Sequence, residues 1–415
     1  MNGRVNVGIV GAGGIFLAAH FRRGYLHVPE ARITALCDIS EPALRRADKS
    51  VKEGFEKRIA ELKEAGDADT AALFADDAKR IRLYTDLDKM LSDAKPDVVD
   101  VCTMPNSHAP IASKALLAGC HVLCEKPMAR TWIDTLPVLD AVKKSGKHYQ
   151  HNENMIWDPD WYTMKKVVDG GMVGDVMAVY ISAAHGGPEG GAAFWDPYKQ
   201  GGGAMPDMAI HALTTAWFIA GFEKKPVMVQ AAAPFGIARR FRRRIIAGGF
   251  REIEAEDDAH FMVRYENPDT LEWATTMIEG SWSYQDAPDN AVIGTAGAAS
   301  FSKDAEGRNF VEVRSAEDSI RRIPVSGPTW EHYPSSYYGE IRDFIRGVQE
   351  KRPPMVDAEI GSESQAIVGA AFLSQARGRK PVSIKEFKDY ARELLSRHGD
   401  KASDALIEES LMGLA

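Results

Sequence analysis

The sequence is short of several things, and each shortage excludes a class. Only 4 of 415 residues are cysteine, too few to staple a chain of this length, so a disulfide scaffold is excluded. No run of about 18 apolar residues occurs, so no membrane-spanning helix is expected. Positive charge is the minority sign: 51 Lys and Arg against 59 Asp and Glu leave a net charge of −8. A general binder of nucleic-acid phosphates needs a basic face, so that class is excluded as well. The opening Met1-Asn2-Gly3-Arg4 leads straight into a strand-like segment, without the ordered parts of a signal peptide. A cytoplasmic location is expected. Internal repeats and low-complexity stretches are absent from the sequence.

What is present is ordinary for a folded protein: 45% apolar and 27% charged residues, at a length suited to two or three domains. The first third alternates. β-rich runs at Val5–Val10, Ile33–Cys37, Ile81–Tyr84, Val98–Cys102, His121–Cys124 and His148–Gln150 are separated by helical patterns. That rhythm predicts βαβ units and a parallel sheet buried on both faces. The charged stretch Lys49–Arg80 predicts one long and one shorter helix, read as a solvated surface insertion. Beyond about residue 152 the texture changes. A helix over Trp157–Asp169 is followed by strands at Val176–Ala183, Val227–Ala233, Ala259–Tyr265, Leu271–Ile278 and Ala291–Gly294, with a hairpin-like turn at Asn267-Pro268-Asp269. Late helices are expected near 336–348 and 362–375, then a helical tail with a frayed end from Lys385. The expected architecture is α/β: a doubly wound parallel sheet over 1–151, an α/β domain on a large, mostly antiparallel open sheet over 152–384, and a tail over 385–415.

Gly11-Ala12-Gly13-Gly14-Ile15-Phe16 joins the first strand to the first helix. Gly11 permits a tight turn, and Gly13 lets the backbone approach a pyrophosphate with no Cβ in the way. Backbone N–H groups and the positive helix end then face the anion, so Gly11, Gly13, Gly14 and Ile15 are candidate phosphate contacts. The third fingerprint position is Phe16 rather than Gly or Ala, which leaves the closest helix–strand packing open. Asp38, 25 residues after Gly13 at the end of the second strand, is placed to accept from ribose hydroxyls. A carboxylate there repels a 2′-phosphate, so NAD is expected over NADP, although Arg45 and Arg46 keep NADP open; the alternative role for Asp38 is a helix cap.

Ligands of open parallel sheets sit beyond the carboxyl ends of the strands. Thr103, Pro105, Asn106 and His108 after the fourth strand, and Glu125, Lys126 and Pro127 after the fifth, should border the cofactor. A cation at the end of a buried strand is costly without a task, so Lys126 is a functional candidate, with a surface ion pair as the alternative. Pro127 is a candidate cis proline. Cys120 and Cys124 alternate away from His121 on one strand, so the three do not converge and no metal is expected. Further on, Gly201-Gly202-Gly203 leads through Pro206 to Asp207 and His211, four apart and on one face if helical. A carboxylate with an imidazole can move a proton near neutral pH, unless the two form only a structural ion pair. The run Arg239–Arg244 reads as a solvated loop or a contact with a neighbouring subunit rather than a nucleic-acid site.

Taken together, Gly11-Ala12-Gly13-Gly14-Ile15, Cys37-Asp38, Pro105-Asn106-Ser107-His108, Glu125-Lys126-Pro127, the Gly201–Gly203 stretch with Asp207 and His211, and Gly294-Thr295-Ala296-Gly297 resemble the Gfo/Idh/MocA oxidoreductase family. The resemblance covers most of residues 4–385. It implies a Rossmann domain binding NAD and a second domain whose open sheet forms a homodimer or homotetramer. It also implies hydride transfer between NAD and a secondary hydroxyl or keto group of a sugar, inositol or related polyol. In that scheme Lys126 binds the reacting oxygen and contacts the nicotinamide ribose. His211 is the general acid/base, and Asp207 is its partner or a substrate ligand. Asn154 and His185 fall on the substrate side, with His151, Asn152 and Trp195 as further possibilities. The chain departs from the family at Asn154-Met155-Ile156-Trp157-Asp158-Pro159, where an Arg is usual. Two other readings stay open: an NAD-retaining glycosidase or lyase working by transient oxidation, and a non-catalytic sensor.

Overall fold

The computed structural model describes residues 3–236, 243–283, 290–325 and 335–410. The chain divides into two compact, interleaved units. Met1–Met128, Pro137–Trp157 and Trp330–Glu359 form one; Ala129–Leu136, Asp158–Thr329 and Ile360–Ala415 form the other. Consecutive segments were expected, and a single chain is instead threaded between the two.

The first unit is built on six parallel strands: β1 Val5–Val10, β2 Ala31–Cys37, β3 Arg82–Tyr84, β4 Val98–Val101, β5 His121–Cys124 and β6 Tyr149–His151. Their order is β3-β2-β1-β4-β5-β6, so the strand order reverses between β1 and β4. Ligands of doubly wound sheets sit at that reversal, beyond the carboxyl ends of the strands. The stretch expected to be a solvated insertion is in part core. Helix Glu41–Glu64 is capped by Ser40, whose Oγ accepts from the Ala43 N–H at 3.3 Å, and helix Ala68–Asp77 follows. The first looks polar overall, yet Ala47, Val51 and Phe55 from it, with Ala71 and Phe74 from the second, lie in the buried cluster of this unit. The Phe55 ring is 5.4 Å from Phe21 and 5.6 Å from Phe74. A charged helix with apolar residues at turn spacing still buries one stripe.

Among the described residues, the second unit carries a nine-stranded sheet ordered β16-β15-β14-β13-β7-β12-β11-β8-β17. Its strands are β7 Val176–Ala184, β8 Lys225–Ala231, β11 Asp258–Glu266, β12 Trp273–Ser281, β13 Ala291–Gly294, β14 Gly297–Lys303, β15 Asn309–Ser315, β16 Ile320–Pro324 and β17 Val382–Ser383, with β9 Arg243–Ile246 and β10 Gly249–Glu252 forming a separate hairpin. Every neighbouring pair in the large sheet is antiparallel except β7 with β12. Strands β14–β16 escaped the sequence reading because polar and charged residues such as Ser300, Ser302, Glu312, Arg314, Arg321 and Arg322 interrupt their apolar runs. Helix Ile210–Ala220 packs against β7 and β12 and is buried throughout except at His211, as expected for a helix apolar all round.

The tail is helical as expected, and residues 411–415, where the frayed end was expected, lie outside the described residues. Helices Ile384–His398 and Ala402–Ser410 bury Phe387, Leu394, Leu406 and Ile407, and Asp404 accepts from the Arg130 guanidinium at 2.8 Å. Of the basic run, Arg239–Arg242 lies outside the described residues, and Arg243 opens β9. No helix of the described residues is long and apolar enough to cross a membrane.

Candidate active site

In the first unit the glycine loop follows β1 directly. Gly11 has φ +95°, and a Cβ there would lie 2.6 Å from the Cys102 carbonyl oxygen. Its N–H donates to the Cys37 carbonyl at 2.8 Å, so the loop is pinned over the ends of β2 and β4. At Gly13 and Gly14 the situation is the reverse: a Cβ would meet nothing within 4 Å, and both residues are exposed. That open space at a helix N-terminus suits an anionic ligand. The Asp38 carboxylate accepts from the Ala12 N–H at 2.9 Å and the Ser40 N–H at 2.8 Å, placing its charge beside the same loop. The helix cap is Ser40 instead. Ile39, next in sequence, is 95% exposed, an apolar side chain suited to contact a ligand ring. Sequence reasoning passed over Ile39, although an apolar residue after the strand-end acid was a usable signal. Together these features fit a dinucleotide.

Phe16 resolves the departure at the third glycine position. It is fully buried, 6.0 Å from Phe21, and the helix it opens, Phe16–Gly24, is π-wound rather than α-helical. A wider helical turn of this kind was not legible in the sequence, and such turns recur at functional sites.

Beyond β4, the Ser107 hydroxyl donates to Thr103 Oγ1 at 2.9 Å, Pro105 begins helix Pro105–Leu117, and Asn106 is exposed. His108 turns inward. Its Nδ1 lies 2.7 Å from the Pro127 carbonyl oxygen and its Nε2 3.0 Å from that of Thr103. Burial lowers its pKa. With a carbonyl oxygen at hydrogen-bond distance from each ring nitrogen, His108 stands between the end of β4 and the end of β5. Glu125 is also turned inward: its Oε1 is 2.6 Å from His20 Nε2. Lys126 is partly exposed, and the Lys126–Pro127 bond is cis. Asn154 donates through Nδ2 to the Ser336 hydroxyl at 3.2 Å. Cys120 and Cys124 are buried thiols, and burial pushes the Cys120 pKa up to about 11, away from the thiolate a metal needs.

In the second unit Asp207 lies in a π-wound turn, Met205–Ala209, that runs into helix Ile210–Ala220 with His211 as its second residue. The turn is fastened from behind. The Gly203 N–H donates to both Glu256 carboxylate oxygens at 2.9 Å, and the Met205 N–H donates to Oε1 at 2.8 Å. A Cβ on Gly203 would lie 1.9 Å from the Glu256 carbonyl oxygen, so only glycine admits this approach. Asp207 accepts from the Trp282 indole N–H at 2.9 Å, and His185 Nε2 stands 3.5 Å from the same carboxylate oxygen. His185 is fixed in turn by the Gly187 N–H, which donates to its Nδ1 at 2.9 Å, and Trp195 packs on Trp282 at 4.8 Å between ring centroids. Trp282 and Glu256 were missed from sequence, since both are remote from the Asp-x-x-x-His segment along the chain.

Burial pushes the Glu256 carboxyl up to about 7, against the N–H groups that favour its charge. The folded chain therefore holds this proton more tightly than the unfolded one, where the group titrates near 4.5. Its contribution to stability is complete below pH 4.5 and is lost as the pH rises to about 7, an effect on the order of 3 kcal/mol. The Glu256→Gln variant should flatten the dependence of Tm on pH over that window, as read by circular dichroism. An unchanged slope would show that another group is responsible.

Residues 5–153 match the oxidoreductase family with an NAD-binding Rossmann fold, GFO_IDH_MocA, and residues 161–300 match the family's C-terminal domain. The chain belongs to the Gfo/Idh/MocA family. D-glucoside 3-dehydrogenase of Escherichia coli (strain K12) is 27% identical over 314 residues, covering 72% of this chain and 82% of that protein. Myo-inositol 2-dehydrogenase of Thermotoga maritima is 23% identical over 309 residues, covering 74% and 85%. Levoglucosan dehydrogenase, solved in complex with NADH, superposes with a TM-score of 0.71 over 92% of this chain and 99% of its own; at 18% identity that likeness shows the fold. In this Gfo/Idh/MocA chain the cofactor is NAD, and the open Gly13-Gly14 turn, Asp38 and Ile39 are the groups suited to hold it.

Proposed function

We propose that this oxidoreductase acts on a secondary hydroxyl or keto group of a sugar, inositol or related polyol, using NAD. The observation that carries the reading is the buried Asp207, fixed by the Trp282 indole four residues before His211, in a chain whose other unit holds an open dinucleotide loop beside Asp38. Relatives named as glucoside and inositol dehydrogenases support the substrate class.

When bound, NAD supplies the hydride acceptor or donor. The chain must handle the proton and the charge. As the C–H hydride leaves an alcohol, its hydroxyl proton has to go, and the His211 imidazole takes it. The Lys126 ammonium stabilises the oxygen as negative charge develops there. Asp207, held by Trp282, orients His211 or a substrate hydroxyl, and His185 and Asn154 bind further hydroxyls. A panel of sugars and polyols assayed with NAD and NADP tests this. At least one should reduce NAD with kcat/KM about tenfold or more above that with NADP, a preference of roughly 1.4 kcal/mol. Absence of net oxidation, with glycosides nevertheless cleaved, would replace this reading by transient oxidation and elimination.

We also infer a homodimer or homotetramer through the open face of the large sheet. Tyr180 on β7 and Trp273 on β12 are 42% and 51% exposed there, beside Met277, with Tyr180 and Met277 directly paired across the strands. Large apolar side chains on one open face mark an interaction surface. Light scattering should give a multiple of 45.6 kDa, and Tyr180→Glu with Trp273→Glu should give the monomer.

A further inference from the structure

A buried ladder of charged groups runs beneath the end of β5. His20 is fully buried in the middle of the π-wound helix. Its Nδ1 lies 2.8 Å from Asp100 Oδ2, and its Nε2 lies 2.6 Å from Glu125 Oε1. The Tyr25 hydroxyl donates to the same Asp100 oxygen at 2.9 Å. Three elements are thereby joined: the first helix, β4 through Asp100, and the residue just after β5.

An imidazole with a carboxylate at each nitrogen satisfies both only as the doubly protonated cation. Burial, the largest single influence, acts to lower the His20 pKa, but the Asp100 charge, the neighbouring Cys102 and the hydrogen bonds to both together outweigh it, and the pKa is held well above its ordinary value. Glu340, on helix Ser336–Glu350, faces the same cluster. Its carboxyl oxygens have no hydrogen-bond partner among the described residues. Burial, reinforced by the Glu125 charge, raises its pKa well above the usual carboxyl range.

A buried ion ladder is a poor way to gain stability, because desolvation offsets most of the attraction. Its geometric effect is specific, however. The Glu125 side chain is buried against His20, while the next residue, Lys126, is partly exposed. With Glu125 fixed inward, the backbone that carries Lys126 is fixed as well. On the far side, the Pro127 carbonyl is held by His108. Lys126 is bracketed by two histidines, one acting on each neighbour.

We propose that His20 is a positioning residue for Lys126: by gripping the Glu125 carboxylate between the first helix and β4, it sets the direction and the local charge of the ammonium that acts on the substrate oxygen. This rests on the role of Lys126 proposed above.

The test compares Lys126→Ala with His20→Gln, Asp100→Asn, Glu125→Gln and the His20→Gln/Glu125→Gln pair. Asp100→Asn and Glu125→Gln are isosteric, so they carry the test if His20→Gln does not fold. Each variant is checked for Tm and for NAD affinity by titrating tryptophan fluorescence. The expected result is a loss in kcat of about tenfold or more in each single variant, with substrate KM and NAD Kd within about threefold, as for loss of orientation rather than binding. The pH profile of kcat should be displaced, because Lys126 then titrates beside a different charge. The double variant should lose no more than the worse single one, since both break one link. Two results overturn the proposal while leaving the function standing: Lys126→Ala is inactive but the ladder variants keep wild-type kcat and pH profile, or the His20 and Glu125 effects simply add. Full activity in Lys126→Ala removes the role of Lys126 and this proposal with it.

Discussion

Lys126→Ala is expected to lower kcat by about 10³-fold, or roughly 4 kcal/mol of transition-state stabilisation. Lys126 is a partly exposed ammonium two residues beyond a buried strand, and the residues on both sides of it are held by buried imidazoles. Positive charge so placed is most valuable where the substrate oxygen becomes negative. Its loss should therefore fall on kcat and on kcat/KM alike, the pattern of an interaction made in the transition state. NAD affinity, read by fluorescence titration, should change by no more than about tenfold, because the glycine loop and Asp38 remain. The Lys126→Arg variant should recover little, since a planar guanidinium cannot place its charge at the same point. Turnover in Lys126→Ala equal to that of the parent would refute the assignment.

The second large effect contrasts two glycines of one loop. Gly11→Ala should destabilise the fold by on the order of 3 kcal/mol, from the positive φ and from the close approach to Cys102. Its Tm should fall by several degrees with or without cofactor. Gly13→Ala should leave the Tm of the free protein within about 1 °C, since its Cβ enters open space. That same Cβ would stand where the pyrophosphate approaches, so the rise in Tm on adding NAD should shrink or vanish. Differential scanning fluorimetry with and without NAD separates the two. An equal loss of stability in both variants would show that the loop is a structural turn only.

Much of this was legible because the signals are local. The strand–glycine–helix junction, the acid at the end of β2 and the Glu-Lys-Pro segment each occupy a few consecutive residues, and β1 and β5 lie where hydrophobic runs placed them. The errors have a common origin. The Lys49–Arg80 stretch was read by its charge, while its sparse apolar residues decide where it packs. The tail was expected as a helix, and what the linear reading did not give is that Phe387 and Leu406 bury it. Glu125 was expected beside the cofactor from its motif, and the structure additionally engages its carboxylate with His20, 105 positions away.

By itself the sequence determined the alternating architecture of the first unit, the dinucleotide loop, the acid at the end of β2, and the set of residues able to carry acid–base chemistry. Side-chain period, glycine placement and residue type act over a few positions, so a linear reading recovers them. Only the tertiary structure decided which polar groups are buried together: His20 with Asp100 and Glu125, Glu256 with the Gly203 turn, Trp282 with Asp207. A buried donor or acceptor must find its partner wherever the fold brings one, and sequence distance places no limit on that search.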